Sequence, residues 1–186
     1  MRALTASEIE VRVGQVGDGF ASLLLYKTAR TDMQVLDEVF GAMNWQKDYK
    51  EIKGNLYCGV GVWDDEKKQW IWKWDCGTES NTEKEKGEAS DAFKRACVNV
   101  SDGKNGIDGI GRELYNSPKI YIDVATDSLG NYKYKLHNPK ELNGMYVSYI
   151  RSEGGKVIDL DIAQKLRNSA PRIIWSTDKR KVGRNI

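Results

Sequence analysis

Lys94 and Arg95 are adjacent cations near the end of a predicted helix, and the chemistry open to them is anion binding. The helix is read over residues 80–98 from Ala89, Ala92, Phe93, Ala96 and Cys97, which recur at helical spacing and make one face apolar. Ser80, Asn81 and Thr82 offer N-cap oxygens, and Glu83 and Glu85 suit the positive end of the helix dipole. Lys94 and Arg95 then fall on the wet side. Cations also complement the dipole at the end of any exposed helix, so the pair alone does not announce a ligand. Lys84 and Lys86 interleave with Glu79, Glu83, Glu85, Glu88 and Asp91, which read as a helix N-terminus and its solvated face.

Just before this helix, Trp70, Trp72 and Trp74 alternate with Gln69, Ile71, Lys73 and Asp75, the period of a strand. The tryptophans are expected to pack under the helix. Aromatics interleaved with Lys53, Lys73 and Arg95 would also suit single-stranded bases, where stacking is worth about 1–3 kcal/mol per base. Spacing alone does not separate the two readings.

Other chemistry is sparse. No G-x-x-x-x-G-K-[ST] run is present, so a P-loop motor is unsupported. The single histidine, His137, sits in a predicted turn and reads as an exposed or hydrogen-bonded residue. Cys58, Cys76 and Cys97 are isolated and odd in number, which argues for a reduced compartment and against structural zinc. Asp37 or Asp48 followed by Glu51-Ile52-Lys53 faintly resembles the Asp…Glu-x-Lys layout of magnesium-dependent nucleases, a spacing common by chance. A nuclease, or a structural domain without DNA binding, therefore stands as the alternative.

These residues need elements to position them. The 186-residue chain, 40% hydrophobic and 30% charged, can bury a core of its own. No apolar run approaches membrane-spanning length, and the opening residues do not read as a signal peptide. Residues 6–13 read as a short helix, and 20–26 form an apolar run that pattern does not type. Thr31 or Asp32 would cap a helix carrying Met33, Val35, Leu36, Val39 and Phe40, stopped by Gly41. Strands are expected from Asn44 to Lys53, over Leu56, Cys58, Val60 and Val62, and through the tryptophans. Three strands joined by short polar turns make an antiparallel meander that the 80–98 helix covers. Beyond Pro118, strands are expected at 119–124 and 132–136, a hairpin at 146–151 and 156–161, and a short helix at 162–169. From Lys165 onward, seven cations face Asp178 alone, a basic tail against a net charge of only +2. The expected class is α+β: a β-β-β-α core over residues 1–124, with C-terminal hairpins and the basic tail of the same domain over 125–186.

The order of these features resembles the phage and prophage branch of the Rad-fifty-two superfamily of single-strand annealing proteins. The likeness rests on Leu36-Asp37-Glu38-Val39-Phe40-Gly41 with Asn44-Trp45, the meander, and Lys73-Trp74-Asp75-Cys76-Gly77-Thr78-Glu79-Ser80-Asn81-Thr82-Glu83-Lys84. It continues through Lys86-Gly87-Glu88-Ala89-Ser90-Asp91-Ala92-Phe93-Lys94-Arg95-Ala96 and Gly109-Ile110-Gly111-Arg112-Glu113-Leu114-Tyr115, and covers about residues 5–120. The resemblance implies subunits assembled side by side into rings, binding single-stranded DNA in a positive groove and annealing complements without ATP, metal or other cofactor. It places Lys94 and Arg95 on that groove and matches Arg12 to an arginine of an N-terminal helix that also lines it. Lys84, Lys86 and Arg112 complete the expected DNA-binding set, with no catalytic or metal-binding residue. The implied partners are single-stranded DNA, further copies of the chain, and a phage exonuclease or host single-strand binding protein, in the cytoplasm of a bacterial host and away from membranes. One departure is a polar, glycine-containing insertion over residues 99–108, just past Lys94-Arg95.

Overall fold

The computed structural model describes residues 1–78, 84–103 and 109–186, with 84–86 as backbone only. In chain order the elements are β1 (Glu10–Val16), β2 (Phe20–Tyr26), α1 (Ala29–Phe40), β3 (Trp45–Ile52), β4 (Asn55–Asp64), β5 (Gln69–Cys76) and α2 (Lys84–Val98). There follow β6 (Ile120–Asp123), β7 (Thr126–Ser128), β8 (Tyr134–Leu136), β9 (Met145–Glu153), β10 (Lys156–Gln164) and β11 (Arg172–Ser176). They fall into two compact units. One comprises Met1–Leu4 and Lys27–Arg112, the other Thr5–Tyr26 and Glu113–Ile186.

The first unit holds α1, the meander β3-β4-β5 and α2. α1 starts earlier than expected because the Thr28 side chain accepts the Thr31 N–H, and Gly41 (φ 87°) ends it. Asp32, expected as a cap, therefore lies inside the first turn and is buried. The Asp37 and Asn44-Trp45 motif joins α1 to the sheet. Trp45 Nε1 donates to Asp37 Oδ1 at 2.7 Å, and Asn44 Nδ2 donates to the Phe40 carbonyl at 2.9 Å.

Directly paired residues of antiparallel strands share a face. Tyr49, Cys58 and Asp75 form one such row, and Lys47, Val60 and Lys73 the next. α2 covers this face: Ala92, Phe93, Ala96 and Cys97 are buried there with Cys58 and Val60. The Phe93 ring stacks on Trp45 at 6.2 Å, and the Lys47 ammonium lies 4.9 Å from its centroid.

The tryptophans lie on the other face, contrary to the expected place under the helix. Trp74 pairs with Gly59 and Trp72 with Gly61, so these indoles share the face of the two glycines. A Cβ at Gly59 would come within 2.6 Å of the Trp74 indole, and one at Gly61 within 2.9 Å of Trp72. The two rings also stack on each other at 5.7 Å, and the Lys50 ammonium sits 4.3 Å from the Trp74 centroid. Alternation marks two faces without saying which is covered. The choice is made by Cys58 and Val60, which suit the small side chains of α2.

The second unit holds three antiparallel sheets, β1-β2-β6, β7-β8 and β9-β10-β11. Two sequence readings are corrected here. Residues 6–13 form a 3₁₀ turn (Ala6–Glu8) closed by Thr5 and Glu8, and then β1, whose Val11 and Val13 alternate with exposed Glu10 and Arg12. Residues 162–164 continue β10 instead of starting a helix, because Ile162, Ala163 and Gln164 pair with β9 and are buried. The basic tail is folded: β11 pairs with β10, Arg180 pairs with Asp178 at 2.9 Å, and Lys181 with Asp161 at 3.0 Å. The class is α+β as expected, with a meander on a helix and further C-terminal strands. Among the described residues no helix is long and apolar enough to cross a membrane.

Gly59→Ala should lower stability by about 1–3 kcal/mol, the range for overpacking, because the methyl group meets the Trp74 indole. Urea midpoints measure it. Combining it with Trp74→Leu should recover part of the loss, and additive losses would refute the close-approach account.

Candidate functional site

The C-terminal end of α2 is tied to β5 by one carboxylate. Asp75 Oδ1 accepts from Arg95 Nε at 3.2 Å, and Asp75 Oδ2 accepts from Asn99 Nδ2 at 3.1 Å. Beyond α2 the chain returns through Gly109-Ile110-Gly111. The Ile110 N–H donates to the Cys97 carbonyl at 3.0 Å. Gly109 (φ 88°) is required there, because a Cβ would lie 1.9 Å from the Val98 carbonyl oxygen. This closure carries Arg112 back toward β5.

The result is a cleft of about 520 Å³ lined by Trp72, Lys73, Trp74, Asn99, Ser101 and Arg112. Three consecutive β5 residues line it, so it is entered along the outer edge of that strand. Lys73 and Arg112 are exposed, and neither has an ion-pair partner among the described residues. Asn99 links the cleft to Arg95 through Asp75. Two unpaired cations, amide and hydroxyl donors and indole edges suit a phosphate-bearing chain with aromatic bases.

Lys94 and Arg95 do not share one wet surface. Adjacent helical positions point about 100° apart, and Arg95 is exposed while Lys94 is half-buried. The Lys94 carbonyl accepts from Lys27 Nζ at 3.1 Å, and that ammonium also pairs with Asp32.

The remaining predicted residues are dispersed. Lys84 and Lys86 start α2, and their side chains lie outside the described residues, as do Glu79, Ser80, Asn81, Thr82, Glu83 and the side chain of Glu85. Glu88 and Asp91 are more than a solvated face: Glu88 Oε1 accepts the Leu56 N–H at 3.2 Å, and Asp91 Oδ2 accepts the Thr78 N–H at 3.1 Å. Arg12 belongs to the second unit and lies on a strand, not on an N-terminal helix, with its guanidinium 5.3 Å from the centroid of the Tyr26 ring. Residues 104–108 of the insertion lie outside the described residues, whereas Asn99 and Ser101 reach the cleft.

The nuclease-like residues do not converge. Asp48 pairs with Gly59 on the tryptophan face and Glu51 with Leu56 on the helix face, while Asp37 accepts from the Trp45 indole. His137 is exposed and hydrogen-bonded to Asp127 at 2.9 Å, which raises its pKa. Burial pushes the Cys58 thiol up to about 11 and the Cys97 thiol well above its ordinary value, so both remain protonated at neutral pH.

Comparison with protein-family models, with curated proteins and with solved structures finds no match. Sequence reasoning missed Asp75 and Asn99 as anchors and Lys27 and Asp32 as a buried pair. The available signal was period two: Asp75 is the continuation of Lys73 on the helix-covered face.

Asp75 competes with any anion for Arg95. If the cleft takes an oligonucleotide, Asp75→Ala should tighten its binding at low salt by up to about fivefold, since exposed ion pairs are worth about 0.2–1 kcal/mol. Fluorescence anisotropy measures it, and weaker binding by a folded variant would show that Arg95 acts only when held by Asp75.

Proposed function

We propose that the chain binds single-stranded DNA along the outer edge of β5 and anneals complementary strands without ATP, as a homo-oligomer. The observation that carries this reading is the single cleft that gathers Lys73, Arg112, Asn99 and Ser101 beside the Arg95–Asp75 pair. Cations on helix and strand neutralise phosphates with no base preference, which is what annealing of arbitrary sequences needs. The order of motifs that resembles the annealing proteins supports the same conclusion. Self-association is supported by β3, an edge strand with Tyr49 and Ile52 exposed. Unlike surfaces meeting head to tail close into a ring when the rotation permits, and the clefts of successive subunits would then act by avidity. The setting is the bacterial cytoplasm, with strands supplied by an exonuclease or taken over from a single-strand binding protein.

Mixing the protein with two labelled complementary strands, in EDTA and without nucleotide, should speed their pairing. No acceleration over the strands alone would overturn the proposal. In Arg95→Ala/Arg112→Ala the dependence of log binding constant on log salt should become shallower by about 1.4, two contacts at about 0.7 each. Mass measurement in solution, with and without DNA, should give a multimer.

A further inference from the structure

Two buried charges at the end of α2 take no part in binding as described so far. Lys27 and Asp32 retain 6% and 0% of their side-chain exposure, and their ammonium and carboxylate are in contact. The same ammonium donates to the Lys94 carbonyl at 3.1 Å, inside the last turns of α2. Its aliphatic stem touches Gly111 (φ 70°), where a Cβ would lie 2.7 Å from Lys27 Cδ. One side chain thus meets the first turn of α1, the end of α2 and the turn that precedes Arg112.

We propose that Lys27 and Asp32 are positioning residues for the DNA site: their buried ion pair fixes the end of α2 and the Gly109-Ile110-Gly111 turn, so that Arg95 and Arg112 meet DNA in one arrangement. The inference rests on the DNA-binding reading above. Stability alone does not call for such a pair, since buried ion pairs replaced by well-packed apolar residues are often as stable or more so. Directional contacts are what an apolar pair would lose. Asp32 Oδ2, moreover, has no hydrogen-bond partner among the described residues, so the carboxylate is held through one oxygen only.

That geometry makes the pair sensitive to pH. The groups acting on Asp32 are Lys27 from the segment before α1, and Lys94 and Cys97 from α2. Burial raises the Asp32 carboxyl to about 6, with Lys27 and Lys94 pulling it part of the way back. A carboxyl whose folded pKa lies above its unfolded value of about 3.9 contributes stability below that value and loses it as pH rises through the folded pKa. Acidification through about 6 therefore does not weaken the fold through Asp32. It does discharge Lys27's partner, so the ammonium keeps the Lys94 carbonyl but is no longer fixed by charge to the first turn of α1.

The sign of the binding change discriminates. Protonating Asp32 adds one positive charge near the site, which by charge alone would tighten DNA binding; loss of position weakens it. His137→Gln, which removes the chain's single histidine, serves as the parent. Its affinity for oligo-dT, followed by anisotropy from about pH 7.5 to about pH 5, should fall about fivefold or more with a midpoint near 6, the lower end of coupling between linked sites. Asp32→Asn in that parent should bind at neutral pH as the parent does in acid, with a flat profile. Lys27→Met/Asp32→Leu should stay folded and show the same weak, flat binding. Flat or rising affinity of the parent on acidification, or a parent-like profile in Asp32→Asn, would overturn the proposal. Arg95→Ala/Arg112→Ala separates the two failures: if it binds like the parent, the DNA site itself is wrong; if it loses binding while Asp32→Asn does not, only the positioning role is.

Discussion

The first unit depends on the contact between the apolar stripe of α2 and one face of the meander. Ala92, Phe93, Ala96 and Cys97 are small apart from Phe93, so the helix can lie close to Cys58 and Val60 on the central strand. Phe93 sets the lateral position through its contacts with the Trp45 ring and the Lys47 ammonium. Once the stripe is seated, α2 can present only certain residues to solvent and to β5. Arg95 comes beside Asp75 because it lies on the flank of the stripe, and the Lys94 carbonyl turns toward Lys27 for the same reason. The cleft at the edge of β5 is thus a consequence of core packing, as a precise binding site on rigid elements must be.

Much of this was legible in the sequence because it is periodic. The strands of the meander, α1, α2 and the hairpin of β9 and β10 all follow from patterns of two or of 3.6. Misplaced elements share one cause, which is that the local signal was weak or degenerate. Thr5 and Glu8 signal a helix start and do close a turn, but Val11 and Val13 then follow strand alternation. Residues 162–164 are apolar or amphipathic enough for either structure, and pairing with β9 decides. The tryptophan strand was typed correctly and its face was not. Glycines carry no hydropathy signal, yet Gly59 and Gly61 leave the floor on which Trp74 and Trp72 rest.

The site was less legible than the fold, for an electrostatic reason. Sequence shows which residues are charged but not which charges are already spent. The basic tail concentrates seven cations in sequence, and of these Arg180 and Lys181 prove to be paired with Asp178 and Asp161. Lys27 and Asp32 sit five residues apart around a helix start, a spacing that usually means exposed, solvated groups. Here the return of Gly111, far away in the chain, packs against the Lys27 stem, which no local pattern announces.

A carboxylate inside a proposed phosphate site is at first sight a defect, and Asp75 needs a reason. The Arg95–Asp75 pair is partly exposed, so it contributes little to stability. It holds Arg95 and Asn99 in place, and under the proposed function it would also lower the net positive charge that a passing strand meets. A protein that must align two complementary strands cannot grip either one too tightly at any single subunit, because pairing requires the bases to slide and test register. Weak contacts repeated over many subunits meet that need: total affinity comes from linkage, while each individual contact opens easily. Under the proposed function, the modest net charge of +2 would let an assembly of such subunits hold DNA and still let it move.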